Sequence, residues 1–299
     1  MKSSISVFSN NKDESPLVSI IVITYNFAST VIETLESVKA QSFDNIELVV
    51  SDDCSKDNTV ELCTKWLKAN SGRFVKSQIV TTDTNTGVAA NLNRGIKASC
   101  GKWVKAFAGD DILKPNAICS YVHFMNNDKS MKICVCDVEL FTSSGSVPKQ
   151  EIEAYQHFLE LEKEPYDLQY QRVLRKLIFV GPGYFFSREL YDEVGGFNEK
   201  YRFCEEWPFI YGILKLGYRI NVLEEKLVCY RISNNSLSRK RKGGNYILFK
   251  NAFDFYKDVL FKELLQNDKL DAIKFYLYYK IVYVYCKVRS KGLINYFKS

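Results

Sequence analysis

Histidine is almost missing, with His123 and His157 the two examples in 299 residues, and none of the nine cysteines forms a C-x-x-C pair. Zinc centres draw on Cys and His at short spacings, so this scarcity argues against one. The cysteines are odd in number and scattered, Cys134 and Cys136 being the one close pair, which predicts free thiols in a reducing cytosol. There is no G-x-G-x-x-G fingerprint, and "TYNFAST" after the first apolar run contains no glycine, which disfavours a dinucleotide oxidoreductase and a sugar nucleotidyltransferase. No uncharged apolar run approaches the roughly 18 residues of a spanning helix. The opening "MKSSISVFSNNKDESP" also lacks the apolar core of a signal peptide, so the expectation is a protein neither integral to a membrane nor secreted by that route.

What remains is 46% apolar, enough to bury one substantial core. The net charge of +6 is uneven. From Arg239 to Ser299 there are 14 Lys/Arg against 5 Asp/Glu, which leaves 27 against 30 for the rest of the chain. The basic excess is therefore a local surface in search of an acidic partner, and it argues against a general nucleic-acid-binding fold.

The first half alternates strand and helix signals. "LVSIIVITYN" (17–26) is a β-branched run expected of a strand buried on both faces, and "STVIETLESVKAQ" (29–41) has helical spacing at Val31, Leu35 and Val38. "IELVVSDD", "SQIVTTD", "KWVKAFAG" and "MKICVCDVELF" read as further strands. Helices are predicted over "NTVELCTKWLKAN", with Asn58 a candidate cap, over "VAANLNRGIKAS", and after Pro115. This pattern predicts an α/β layer architecture with a mostly parallel sheet. From about residue 146 the alternation breaks, and from about Asn245 the chain reads as helical and aromatic.

Ligands of such sheets sit beyond the carboxyl ends of the strands. Tyr25-Asn26, Asp52-Asp53, Asp83 and Asp110-Asp111 all fall there. Adjacent aspartates suit a hard cation, Mg²⁺ or Mn²⁺, although a bare pair also makes a capping turn. "SDDCSKDNT" reads either as a cap-rich turn or as a carboxylate site for a base N–H or a ribose hydroxyl. In "NTGVAANLNRG", Asn93 and Arg94 could lie near a phosphate. Glu205-Glu206, ahead of Trp207-Pro208, falls at a helix entrance. It offers either a favourable helix-start charge or a general base.

Taken jointly, "PLVSIIVITYN", "VVSDDCSKDNT", "NTGVAANLNRGIKASCGKWVKAFAGDDILKP", "GPGYFFSRELYDEVGGFNEKY", "EEWPFIYGILKLGYRI" and "YRISNNSLS" resemble, in order and spacing, the family 2 glycosyltransferases with the GT-A fold. The resemblance covers roughly residues 16–238. It implies a Rossmann-like domain over 1–240, with a nucleotide-sugar half over about 16–145 and an acceptor half over about 146–240, followed by a basic aromatic helical extension over 241–299. It further implies that Thr24, Tyr25, Asn26, Asp52, Asp53, Asn93, Arg94, Asp110 and Arg231 contact the nucleotide. Asp111, with Asp110, would hold Mn²⁺ or Mg²⁺, and Glu206, beside Glu205, would be the base of an inverting transfer. Ala108 stands where many relatives have a third aspartate, and Ser233 where the last loop often has histidine.

The implied reaction moves a sugar from a nucleotide-diphospho-sugar, UDP by default, to a glycan or lipid-linked saccharide, as in O-antigen, capsule or other surface-polysaccharide synthesis. A glycosidase and a non-catalytic sugar-nucleotide-binding module remain alternatives. In "DKLDAIKFYLYYKIVYVYCKVRSKGLINYF", Lys269, Lys280, Lys287 and Lys291 lie within about 40° on a helical wheel. That segment fits either an anionic membrane surface or a helix packed on the domain, so the expected location is the cytoplasm, free or peripheral at the inner face of the plasma membrane.

Overall fold

The computed structural model describes residues 15–142, 146–149, 152–153, 155, 159–160, 163–176, 181–232 and 244–290. The chain opens with strand β1 (Val18–Thr24), helix α1 (Val31–Lys39), β2 (Ile46–Asp52), α2 (Thr59–Asn70), β3 (Lys76–Val80), α3 (Val88–Lys97) and β4 (Trp103–Ala108). β1 runs parallel to β2 and β4, and β2 parallel to β3. Every residue of β2 is buried and all but one of β1, as the unbroken β-branched runs require of strands covered on both faces.

The second half is mixed. β5 (Ile112–Leu113), α4 (Ala117–Asn126), β6 (Ile133–Phe141), α5 (Tyr166–Val173), β7 (Tyr184–Ser187), α6 (Arg188–Val194), α7 (Glu206–Lys215) and β8 (Asn221–Arg231) follow. The eight strands lie in the order β3-β2-β1-β4-β7-β6-β8-β5. β7 is antiparallel to both its neighbours, β5 is antiparallel to β8, and β6 and β8 are parallel. The sheet separates two cores. Val18, Ile20 and Val22 point towards α1, α2 and α4, while Ile21 and Val49 point towards α3, α6 and α7.

The foot of the sheet is held by polar contacts on buried Glu47, which accepts from Ser19 Oγ at 2.8 Å and from the Cys100 amide at 2.7 Å. Gly101 closes this corner. A Cβ there would lie 2.5 Å from the Ser19 backbone nitrogen, so Gly101→Ala is expected to lose about 2–3 kcal/mol of stability in urea unfolding, without a change in nucleotide affinity.

The C-terminal segment folds back on the domain. α8 (Gly244–Phe255), a π turn (Tyr256–Leu260), α9 (Phe261–Asn267) and α10 (Lys269–Ser290) contribute Phe255, Tyr256, Leu264 and Tyr279 to the core that contains Trp207. The Trp207 ring lies 5.4 Å from Phe255 and 5.3 Å from Tyr279, centroid to centroid. All nine cysteines lie among the described residues, and no disulfide joins them. No described helix is long and apolar enough to cross a membrane.

Candidate active site

The carboxyl ends of β1 and β2 are stitched together by side chains. Thr24 Oγ1 donates to Asp52 at 2.7 Å, and Asp52 also accepts from the Ser55 amide (2.8 Å) and hydroxyl (2.5 Å). Asn26 adopts a left-handed φ of 59°, and its carbonyl oxygen Oδ1 accepts from the Lys56 amide at 2.7 Å. Tyr25 stands exposed at the mouth. The expected cap Asn58 makes no side-chain cap bond. Asp57 takes that part, accepting from the Thr59 amide at 3.0 Å and the Ala28 amide at 3.1 Å.

Asp53 is saturated from within the protein. The Thr86 amide and hydroxyl, the Gly87 amide (2.7 Å) and Arg94 Nη2 (2.9 Å) all donate to it. Asp53 thereby fixes the 86–87 turn and Arg94. Asn93, expected near a phosphate, is also engaged within the protein. Its amide donates to the Phe197 carbonyl and Glu199, and its oxygen accepts from Tyr191 and the Phe197 amide, each at 2.8–2.9 Å. Asn93 therefore rivets α3 to the 191–199 segment.

Asp110 and Asp111 occupy the turn from β4 to β5. α1 braces it, with Thr30 Oγ1 donating to the Gly109 carbonyl (3.0 Å) and Thr34 Oγ1 to the Asp111 carbonyl (2.8 Å). Asp111 is buried and Asp110 half-buried. Burial pushes Asp110 up to about 6, and burial together with the charge of Asp110 pushes Asp111 well above the carboxylate range. From the end of β8, the Arg231 amide donates to Asp111 Oδ1 at 2.9 Å. Its guanidinium takes the Asp110 carbonyl at 2.7 Å and pairs with Glu33, lying 4.4 Å from the Phe141 ring centroid. The loop beyond, with Ser233, lies outside the described residues.

Glu205 stands at the residue before α7, with no side-chain cap bond, and Glu206 begins the helix, with Pro208 in its first turn. Burial raises Glu205 to about 7. The Tyr230 hydroxyl is pushed up by burial and then by the charges of Asp111, Glu206 and Asp110. Tyr155 feels Glu206 as well. The carboxylates of Asp110, Asp111 and Glu206, far apart in sequence, all act electrostatically on Tyr230. Among the described residues no group of three or more His, Cys, Asp or Glu forms a cage. Two adjacent oxygen donors are what the chain supplies.

Arg202, which no sequence motif marks, joins the two halves. It donates to the Thr86 carbonyl at 2.9 Å and the Asn85 carbonyl at 2.6 Å, and its own carbonyl accepts from the Val88 amide at 3.1 Å. It lies three residues before Glu205 on one side and grips the turn held by Asp53 on the other. Arg202→Ala is expected to weaken nucleotide binding about three- to tenfold in calorimetry, from the loss of these exposed hydrogen bonds, with little change in thermal stability.

A half-parallel, half-mixed sheet with acidic pairs at a strand end and at a helix entrance defines a GT-A glycosyltransferase domain. The model of "Glycosyl transferase family 2" matches residues 19–195, and the chain belongs to that family. It is 28% identical over 267 residues to the uncharacterized glycosyltransferase EpsJ of Bacillus subtilis (strain 168), covering 88% of this chain and 71% of that protein. Against the putative teichuronic acid biosynthesis glycosyltransferase TuaG of the same strain, identity is 25%, over 76% of this chain and 83% of the relative. Solved structures share the fold. S. aureus TarS 1–349 in complex with UDP-GlcNAc superposes with a TM-score of 0.58 at 16% identity, covering 93% of this chain and 83% of that one. A longer TarS chain is covered over 40% of its length. The mannosyltransferase PcManGT from Pyrobaculum calidifontis, in complex with GDP-Man and Mn²⁺, gives 0.59 at 19% identity, over 88% of this chain and 74% of that one.

Proposed function

We propose that this protein transfers a hexosyl or N-acetylhexosaminyl group, with inversion, from a nucleotide-diphospho-sugar to a hydroxyl of a glycan or lipid-linked saccharide, on the cytoplasmic side of surface-polysaccharide assembly such as O-antigen or capsule. The observation that carries the reading is the placement of Asp110-Asp111 just beyond the carboxyl end of β4, held by the Arg231 amide and guanidinium from the end of β8. UDP is the default donor nucleotide, supported by the UDP-GlcNAc complex of the structural neighbour. In this reading residues 1–240 form the catalytic unit and 241–299 a helical extension.

The aspartate pair fits a hard divalent cation. A buried and a half-buried carboxylate side by side repel each other and are pushed towards their protonated forms, a conflict that Mn²⁺ or Mg²⁺ relieves. Asp111 and Asp110 would hold the ion, which when bound supplies charge stabilisation to a departing diphosphate. Thr24, Tyr25, Asn26 and Asp52 line the nucleotide end. Asp53 and Arg94 shape the turn behind it, and Arg231 stands above the aspartates where diphosphate oxygens would come. Glu206 takes the proton from the acceptor hydroxyl.

Calorimetry with UDP-, GDP- and dTDP-sugars, with and without Mn²⁺, tests the donor site. One nucleotide class is expected to bind with metal, and Asp111→Asn to lower that affinity by about tenfold or more. Binding of none of the three would overturn the reading in favour of a domain that does not bind sugar nucleotides.

A further inference from the structure

Helix α10 (Lys269–Ser290) has two apolar faces. One is docked, with Ala272 and Tyr279 buried in the core, the Tyr279 hydroxyl donating to the Arg175 carbonyl at 3.1 Å, and Arg175 paired with Asp271 at 2.7 Å. The other points away from the domain. Leu270, Ile273, Leu277, Ile281 and Val284 are all exposed on it, Leu270 at 83% and Ile281 at 67%. Their spacing of three and four residues makes a continuous aliphatic stripe opposite the docked face. Exposed Tyr278 and Tyr285 border it on one side, together with exposed Lys274, and exposed Lys269, Lys280 and Lys287 on the other.

Charge selects the occupant. After Asp271 the sequence has six Lys/Arg and no Asp or Glu through Ser299. A second copy pressed onto the stripe would bring the same lysines against these, whereas an anionic lipid surface neutralises them while receiving the aliphatic side chains. The border tyrosines suit the headgroup level, where one end of the ring is apolar and the other wet. The helix is about 33 Å long. It is not apolar enough to cross a bilayer, so it lies along one.

We propose that α10 is a preformed contact for an anionic membrane surface, seated in the plane of the headgroups. Because its other face is already docked, the stripe does not have to fold on arrival, unlike a free amphipathic segment. The contact uses no residue of the donor crevice, so it stands independently of the donor reading.

The test is co-sedimentation of the full chain with neutral phosphatidylcholine vesicles and with vesicles containing about 30% phosphatidylglycerol. Binding is expected to the anionic vesicles alone, to weaken about tenfold or more in roughly 0.5 M salt, and to fall by a similar factor in Leu277→Glu/Ile281→Glu. Both positions are exposed, so an unchanged melting temperature and unchanged UDP-sugar binding would separate loss of the surface from loss of the fold. Folded protein that stays in the supernatant with every vesicle overturns the proposal. So does binding that the double variant leaves intact, or concentration-dependent self-association that the double variant abolishes, which would assign the stripe to a second copy.

Discussion

Glu206→Gln is expected to slow sugar transfer by at least about a hundredfold, some 3 kcal/mol of transition-state stabilisation, while leaving nucleotide binding within about twofold. The amide keeps the size of the side chain and removes its ability to accept a proton from the acceptor hydroxyl. Glu205→Gln is expected to behave differently. Burial raises Glu205 to about 7, so it is protonated below neutrality and charged above it. Its ionisation places a second negative charge beside Glu206 and increases the proton affinity of the base. Transfer should therefore rise with pH through about 7 in the native enzyme, and in Glu205→Gln this limb should flatten while activity stays within about tenfold. Steady-state rates from pH 5.5 to 8.5 for the three proteins, in roughly unit steps, distinguish the residues. If Glu206→Gln retained near-native turnover, the base would have to be sought elsewhere.

Legibility followed the strength of each local signal. The β-branched runs at 17–26 and 46–53 lie within a residue or two of strands β1 and β2, because strands buried on both faces leave no room for polar alternation. The antiparallel insertion of β7 between β4 and β6 was not legible. Four residues, "YFFS", carry no direction, and pairing partners far apart in sequence leave no local mark. At the site, the acidic pairs announced themselves as charge at the ends of apolar elements. Which carboxylates are spent inside the protein did not, since Asp53 and Asp110 look alike until the donors around them are placed. Arg202 had no signal at all. Lys105 had one, a charge in the middle of the apolar run "KWVKAFAG", and its meaning became plain once the strand was seen to be central.

Lys105→Met is expected to cost more stability at high pH than at neutral pH, by about 2.5 kcal/mol between pH 7 and 10. Lys105 is fully buried in β4, and its ammonium donates to the carbonyls of Pro182 and Tyr184, 5.2 Å from the Tyr121 ring centroid. Burial lowers its affinity for the proton, to about 8 from the usual 10.5. Below pH 8 the side chain is charged in both folded and unfolded chains, and the native state carries the full cost of the buried charge. As pH rises from about 8 towards 10.5 the folded chain gives up the proton while the unfolded chain keeps it. The unfolded state then binds more protons and native stability gains with pH, a gain methionine cannot make. Taking the difference between the native protein and Lys105→Met in urea at each pH cancels the tyrosines and thiols, which titrate in both. A flat difference would mean that the amine is neutral throughout or reached by water. The same substitution also bears on the site, because the Lys105 charge acts on Asp111 and favours its ionised form.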